Sequence, residues 1–162
     1  MEWSPLWLTK TLQAPLFLSA ILLIGFHSGE AVSRFMGAFL MKRYHDRYLG
    51  CYLVLAGALA LAGSIFTMDY YIISCGAFLF GFASGNFNPI IIKNALRYAE
   101  EDASTTIANL LTLVLAGLMF GPAIVSVTAQ FLGMTFNMYL LALVWGICAV
   151  IFYLIIRKDP KP

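Results

Sequence analysis

Charge is what this chain has least of: 11% of its 162 residues are Asp, Glu, Lys or Arg, while 61% are hydrophobic. An average soluble domain carries about 25% charged residues, and a mean hydropathy of +0.85 is more apolar surface than a water-exposed fold of this size can hide. Long polar stretches are missing as well, so there is no room for an extramembrane domain beside the apolar segments. Cysteine is scarce: Cys51, Cys75 and Cys148 are odd in number, lie in or at the ends of apolar stretches and have no paired spacing. They read as small buried hydrophobes rather than as a disulfide or zinc framework. No H-E-x-x-H, no G-x-S-x-G and no paired aspartates occur, which argues against an enzyme, and no pattern calls for a cofactor or a metal. A basic, aromatic-rich groove for nucleic acid is lacking too. Met1 to Leu12 has neither the basic start nor the small-residue cleavage site of a signal peptide.

What the chain does have is five apolar stretches, near 14–41, 49–68, 70–92, 107–132 and 138–156. About 20 residues of helix cross a ~30 Å hydrocarbon core at ~1.5 Å per residue. The runs are continuous rather than alternating, so helices are expected and barrel strands are not. The whole of 1–162 is expected to form a single all-α membrane domain of five transmembrane helices. Met68 and Asp69 alone separate the second and third spans, which must therefore be antiparallel neighbours. Pro15, Pro89 and Pro122 fall near or within spans, where neighbours can satisfy the carbonyls that proline frees.

Orientation follows from the basic residues. Lys42, Arg43 and Arg47 follow the first span, Lys93 and Arg97 the third, and Arg157, Lys158 and Lys161 the fifth, whereas the other side has Lys10 alone. Positive residues favour the cytoplasmic face, so the N-terminus is expected outside and the C-terminus in the cytoplasm. Five crossings require termini on opposite sides, in agreement.

Within the first span, His27, Glu30 and Arg34 are spaced by three and four, which puts them on one helical face. A charge near mid-bilayer costs about 2.5–3.5 kcal/mol on insertion scales. The stripe must therefore face protein or water, and Glu30 and Arg34 are expected to pair with each other. Glu30 is a candidate proton exchanger, Arg34 a candidate anion ligand and His27 a group that tunes either. A pair that merely pins helix packing is the alternative. Asn86, Asn88 and Asn109 are further polar candidates, and amides in membrane helices often serve as interhelical hydrogen bonds.

The segment from Gly37 to Arg47 resembles the cytoplasmic signature of major facilitator superfamily transporters, usually written GGxLaDRfGRR. Gly37, Leu40, Arg43 and Arg47 match it, while Lys42 stands in place of the Asp, His45 in place of a Gly and Asp46 in place of a basic residue. Such departures are similar to the second, carboxyl-terminal copy of the signature. Gly117, Gly121 and Pro122 form a G-x-x-x-G-P run similar to that superfamily's gate-flanking helices, and Gly76, Gly81 and Gly85 offer similar closeness in the third span. Glu30 to Arg34 also resembles the acidic-x-x-x-Arg element in the eighth helix of monocarboxylate porters, with Glu for the usual Asp.

On the superfamily's twelve-helix plan the spans resemble helices eight to twelve. The resemblance implies a secondary carrier working by alternating access, in which two halves rock about a central site, with possible proton symport of a small organic anion. Lys42, Arg43, Asp46 and Arg47 are then expected at the cytoplasmic gate, and Gly117, Gly121 and Pro122 at a hinge or packing seam. It further implies partner helices, upstream or on another chain, with Glu2 to Lys10 where an outer loop belongs. Met1 is then expected to open a truncated or split chain in the cell membrane. The alternative is a small membrane protein or subunit that associates with other helices and transports nothing.

Overall fold

The computed structural model describes residues 4–43, 46–98 and 102–158, and among them there are seven helices and no strand. They are α1 (Ser4–Thr11), α2 (Leu16–Arg43), α3 (Asp46–Thr67), α4 (Tyr70–Gly85), α5 (Phe87–Tyr98), α6 (Ala103–Leu132) and α7 (Met134–Lys158). Helices α2, α3, α6 and α7 each cover one of the apolar runs, and the third run is divided between α4 and α5. Segments Tyr48–Thr67, Tyr70–Arg97, Ala103–Leu132 and Met134–Ile155 are each long and apolar enough to cross a membrane. At 28 residues α2 is also long enough.

The connections follow from local chemistry. Met68 takes a left-handed φ of 52°, and Asp69 caps α4 by accepting from the backbone N–H of Tyr71 at 2.8 Å and of Ile72 at 3.2 Å. That two-residue link makes α3 and α4 an antiparallel pair. The third span is not one helix. Pro89 has no N–H to give the carbonyl of Gly85, four residues back, and the chain breaks at Asn86 (φ −97°, ψ −6°) before resuming as α5. Gly133, at φ 85°, closes α6 and turns directly into α7.

The N-terminal segment differs from the outer loop expected of it. Residues Ser4–Thr11 form α1, which packs on α2 and α7. Trp7 and Leu8 are among the most buried side chains described, at 1% and 0% exposure, and Trp7 Nε1 donates to Thr135 Oγ1 at 2.9 Å. A tryptophan with one apolar body and one polar edge suits this position, because the ring fills the core while its N–H finds a partner. The main core joins α1, α2, α3, α4 and α7 through Trp7, Leu8, Leu22, Leu61, Ile73 and Phe80. Aromatic rings continue it towards the other end: Phe26 stacks on Phe80, Phe80 meets Trp145 edge-on at 5.4 Å, and Trp145 leans on Phe87 at 5.2 Å.

Helix α2 packs most closely on α4, and the reason is the absence of side chains. Gly25, Gly29, Ser33 and Gly37 recur every four residues on α2; Gly25 and Gly29 face the backbone of Ser74, Phe78 and Phe82 on α4, and Ser33 faces Gly85. A Cβ on Gly81 would overlap the carbonyl oxygen of Phe26, and one on Gly85 would lie 2.8 Å from the carbonyl oxygen of Glu30. Backbones that approach this closely gain dispersion contacts along their whole length, which is how helices associate where lipid removes the hydrophobic drive. Helix α6 is the opposite case. It touches α5 and α7, and none of its 30 residues is buried.

Candidate functional site

The polar stripe of α2 lies beside this glycine seam. Glu30 is partly buried because its backbone sits under Gly85, and its Oε2 lies 3.2 Å from His27 Nδ1. The side chains are 24% and 64% exposed respectively, so the pair sits at the edge of the seam with its imidazole on the open side. Arg34 is exposed on the same helix. The expected Glu30–Arg34 ion pair is not formed. Among the described residues Glu30 makes its side-chain contact with His27, and no carboxylate lies within 4.0 Å of Arg34. Helical side chains lean towards the N-terminus, so Glu30 turns back onto the His27 turn and Arg34 is left on the open face.

One turn along, Asn86 occupies the break between α4 and α5 and reaches across the seam. Its Nδ2 donates to the backbone carbonyl of Ser33 at 2.7 Å and lies 2.8 Å from Ser33 Oγ. Ser33 and Asn86 are 0% and 2% exposed, so this amide is a packing bond and not a surface ligand. Gly37 makes room for it: a Cβ there would overlap Asn86 Oδ1 and stand 2.9 Å from its Cγ. The first glycine of the signature segment therefore acts at a helix crossing within the bundle. Lys42 is exposed. The side chains of Arg43, Asp46 and Arg47 lie outside the described ones, as do Tyr44 and His45 altogether.

Other candidates are dispersed. Asn88 and Asn109 are exposed. Gly117 and Gly121 have no atom within 4 Å of a built Cβ, so they form no close packing seam among the described residues, where α6 lies mainly against α7 and α5. Asn137 does what the α6 glycines do not. It donates to the carbonyl of Val125 at 2.9 Å and accepts from Thr128 at 2.5 Å, tying α6 to α7. Two clefts of about 250 and 360 Å³ open along α7, lined by residues such as Tyr52, Val150 and Tyr153 in one and Phe87, Ile91 and Phe152 in the other. Neither includes His27, Glu30 or Arg34. His27 and Arg34 lie exposed on the helix face.

Sequence reasoning offered Asn86 as an interhelical amide without naming its partner, and it missed Asn137 as a tie and Gly25 and Gly29 as half of the seam. The G-x-x-x-G spacing of the last two was a readable signal. The partners chosen by the two asparagines were not, since an amide at either place satisfies several neighbours equally well.

Helices of this length and apolarity, charged at mid-helix and joined by short turns, define an integral, multi-pass, all-α membrane protein. Residues 3–162 match the family model of the Major Facilitator Superfamily, and the chain belongs to that superfamily. Its members are transporters of small solutes within the lipid bilayer and not enzymes. Neither curated proteins nor solved structures give a significant match.

Proposed function

We propose that this chain supplies one wall of the solute pathway of a secondary carrier. The observation that carries the proposal is the open stripe on α2: His27 and Arg34 are exposed halfway along a helix otherwise built for hydrocarbon. A lipid-facing charge there costs about 2.5–3.5 kcal/mol, so water or protein must cover the stripe. In this reading Glu30 exchanges the coupling proton with His27 as its partner, and Arg34 binds the carboxylate of a small organic anion through its planar fork. The cell membrane holds α2, α3, α4 with α5, α6 and α7 as five crossings, with the N-terminus outside. The basic end faces the cytoplasm and brings Lys42, Arg43, Asp46 and Arg47 to the gate.

One copy does not complete such a pathway, because alternating access needs two bodies that rock about the site. Further helices, upstream or on another chain, are required. The unburied length of α6 and its open Gly117 and Gly121 support this need. They also support the second reading, a subunit that only associates.

The test is aqueous access. In a background with Cys51, Cys75 and Cys148 replaced by Ala, Ala31→Cys lies between His27 and Arg34 on the open face. A membrane-impermeant maleimide labels it in vesicles if the stripe faces water and leaves it unlabelled if the stripe faces lipid. Complete protection at Ala31→Cys, with full labelling of a loop position such as Met68→Cys, sinks the pathway.

A further inference from the structure

Helices α6 and α7 are tied beside their turn, and the faces beyond the tie are matched but apart. We propose that the middle of α6 is a strap that closes onto α7, bending next to the tie at Asn137, and that the structure shows it open. The α2 stripe takes no part, so this stands apart from the pathway reading.

The existing contact sets the register. Asn137 on α7 holds Val125 and Thr128 of α6, close to the turn at Gly133 that makes the two helices antiparallel. From that tie the face of α7 runs on at helical spacing through Leu141 and Val144 to Cys148, Ile151 and Ile155. The last three line the larger cleft, of about 360 Å³, whose other wall is α5. From the same tie the face of α6 runs back through Gly121, Gly117 and Leu110. Gly121 and Leu110 are half-buried, so this face looks inward, yet a Cβ at Gly117 or Gly121 would meet nothing within 4 Å. The cleft takes none of its lining from the described residues of α6. Cys148 lies eleven residues beyond Asn137, which sets it opposite residues 114–117, eleven before the tied pair. Gly117 therefore falls at the level of the cleft, with no side chain to hold the backbones apart, and close backbone approach is what favours helix association in lipid. Pro122 removes a hydrogen bond from α6 one turn from Val125, so the helix bends at least cost beside the tie. The outward residues of α6, Leu115 and Met119 among them, are left for other helices.

Cys148 is a probe already in place. In liposomes containing the full chain with Cys51 and Cys75 replaced by Ala, Gly117→Cys and Val114→Cys are each oxidised with copper phenanthroline. Thiols that remain are counted after denaturation by the mass added with a maleimide polymer. A disulfide needs Cβ atoms about 3.8 Å apart, which the open arrangement denies to Gly117→Cys and closure provides. The expected result is a bridge to Cys148 within one chain, formed at least about tenfold faster than from Met119→Cys on the opposite face of α6. Gly117→Leu puts bulk on the closing face and is expected to slow the Val114→Cys bridge about tenfold, with helix content by far-UV circular dichroism unchanged. Before oxidation, an apolar maleimide is expected to reach Cys148 from the lipid, as the open arrangement requires. No bridge at either position, a bridge from Met119→Cys that forms as fast, or a Gly117→Leu chain that bridges like its parent overturns the proposal. So does a Cys148 that is never labelled. A bridge between two chains, or a copurifying lipid that shields Cys148 while no bridge forms, overturns it as well by naming another occupant. Aqueous labelling at Ala31→Cys reads the α2 stripe separately, so the failure of either reading leaves the other standing.

Discussion

Replacing Gly81 by alanine adds one methyl group to the tightest crossing in the molecule. The new Cβ lies 2.9 Å from the carbonyl carbon of Phe26 and 3.1 Å from its Cα, and nearer still to its oxygen, where ordinary contact begins at 3.4 Å. All three opposing atoms are backbone, so no side chain can swing aside, and α2 and α4 must part by at least about 0.5 Å. Overpacking of this kind costs about 1–3 kcal/mol, and a rigid backbone partner puts it near the upper end. Alanine returns up to about 1 kcal/mol through its better helix propensity. The net loss is therefore about 1–2 kcal/mol, a factor of roughly 5–30 in the folded-to-unfolded ratio. Titration with a denaturing detergent, followed by the fluorescence of Trp145, which meets neighbouring Phe80 edge-on, measures it. Gly117→Ala is the control, since nothing lies within 4 Å of its Cβ, and it is expected to equal or exceed the wild type in stability. A Gly81→Ala chain as stable as the wild type, or a Gly117→Ala chain equally weakened, refutes the seam.

Asn86→Ala removes the amide that serves Ser33 and leaves a buried hydroxyl and carbonyl short of a donor, a loss of about 1–3 kcal/mol in the same titration; Asn86→Asp is expected to be worse, because it also buries a charge. Gly37→Ala, which displaces the Asn86 amide, should lower stability without adding to the Asn86→Ala loss, and full additivity in the double mutant would separate the two residues. Trp7→Phe keeps the ring in the core but leaves Thr135 without its donor, with an expected cost of about 1 kcal/mol read as a lower midpoint of thermal aggregation. Cysteines placed at Met68 and Lys161 are expected to label from opposite sides of the membrane, and labelling of both from one side contradicts the five-crossing topology.

Hydropathy made the long helices legible because hydrocarbon selects strongly for apolar runs of a set length. The two-residue turn at Met68 and Asp69 was equally plain. Lateral arrangement was not, since lipid and protein interior are alike to an apolar side chain. Thus α6, the most open helix, and α3, with Val54, Leu61 and Ile65 buried, read almost identically in sequence. The break at Asn86 was hidden for a different reason: Pro89 marks the carbonyl of Gly85 as the one without a donor, but a membrane helix can bend there or break, and packing decides which. The polar stripe of α2 was visible from its spacing, yet the direction in which Glu30 turns was not, because His27 and Arg34 are both one turn away. Residues Ser4–Thr11 concealed a buried helix since eight residues are too few for a hydropathy signal and their burial comes from distant α7.

Pro122 gives α6 a property that its apolar composition disguises. A proline has no N–H, so the carbonyl of Leu118, four residues earlier, has no donor along its own helix, and the bare Gly121 beside it offers no bulk to screen that oxygen. Water supplies a donor freely in solution, but hydrocarbon supplies none. The Leu118 carbonyl is thus an acceptor that α6 leaves unserved in the middle of a segment apolar enough to cross a membrane.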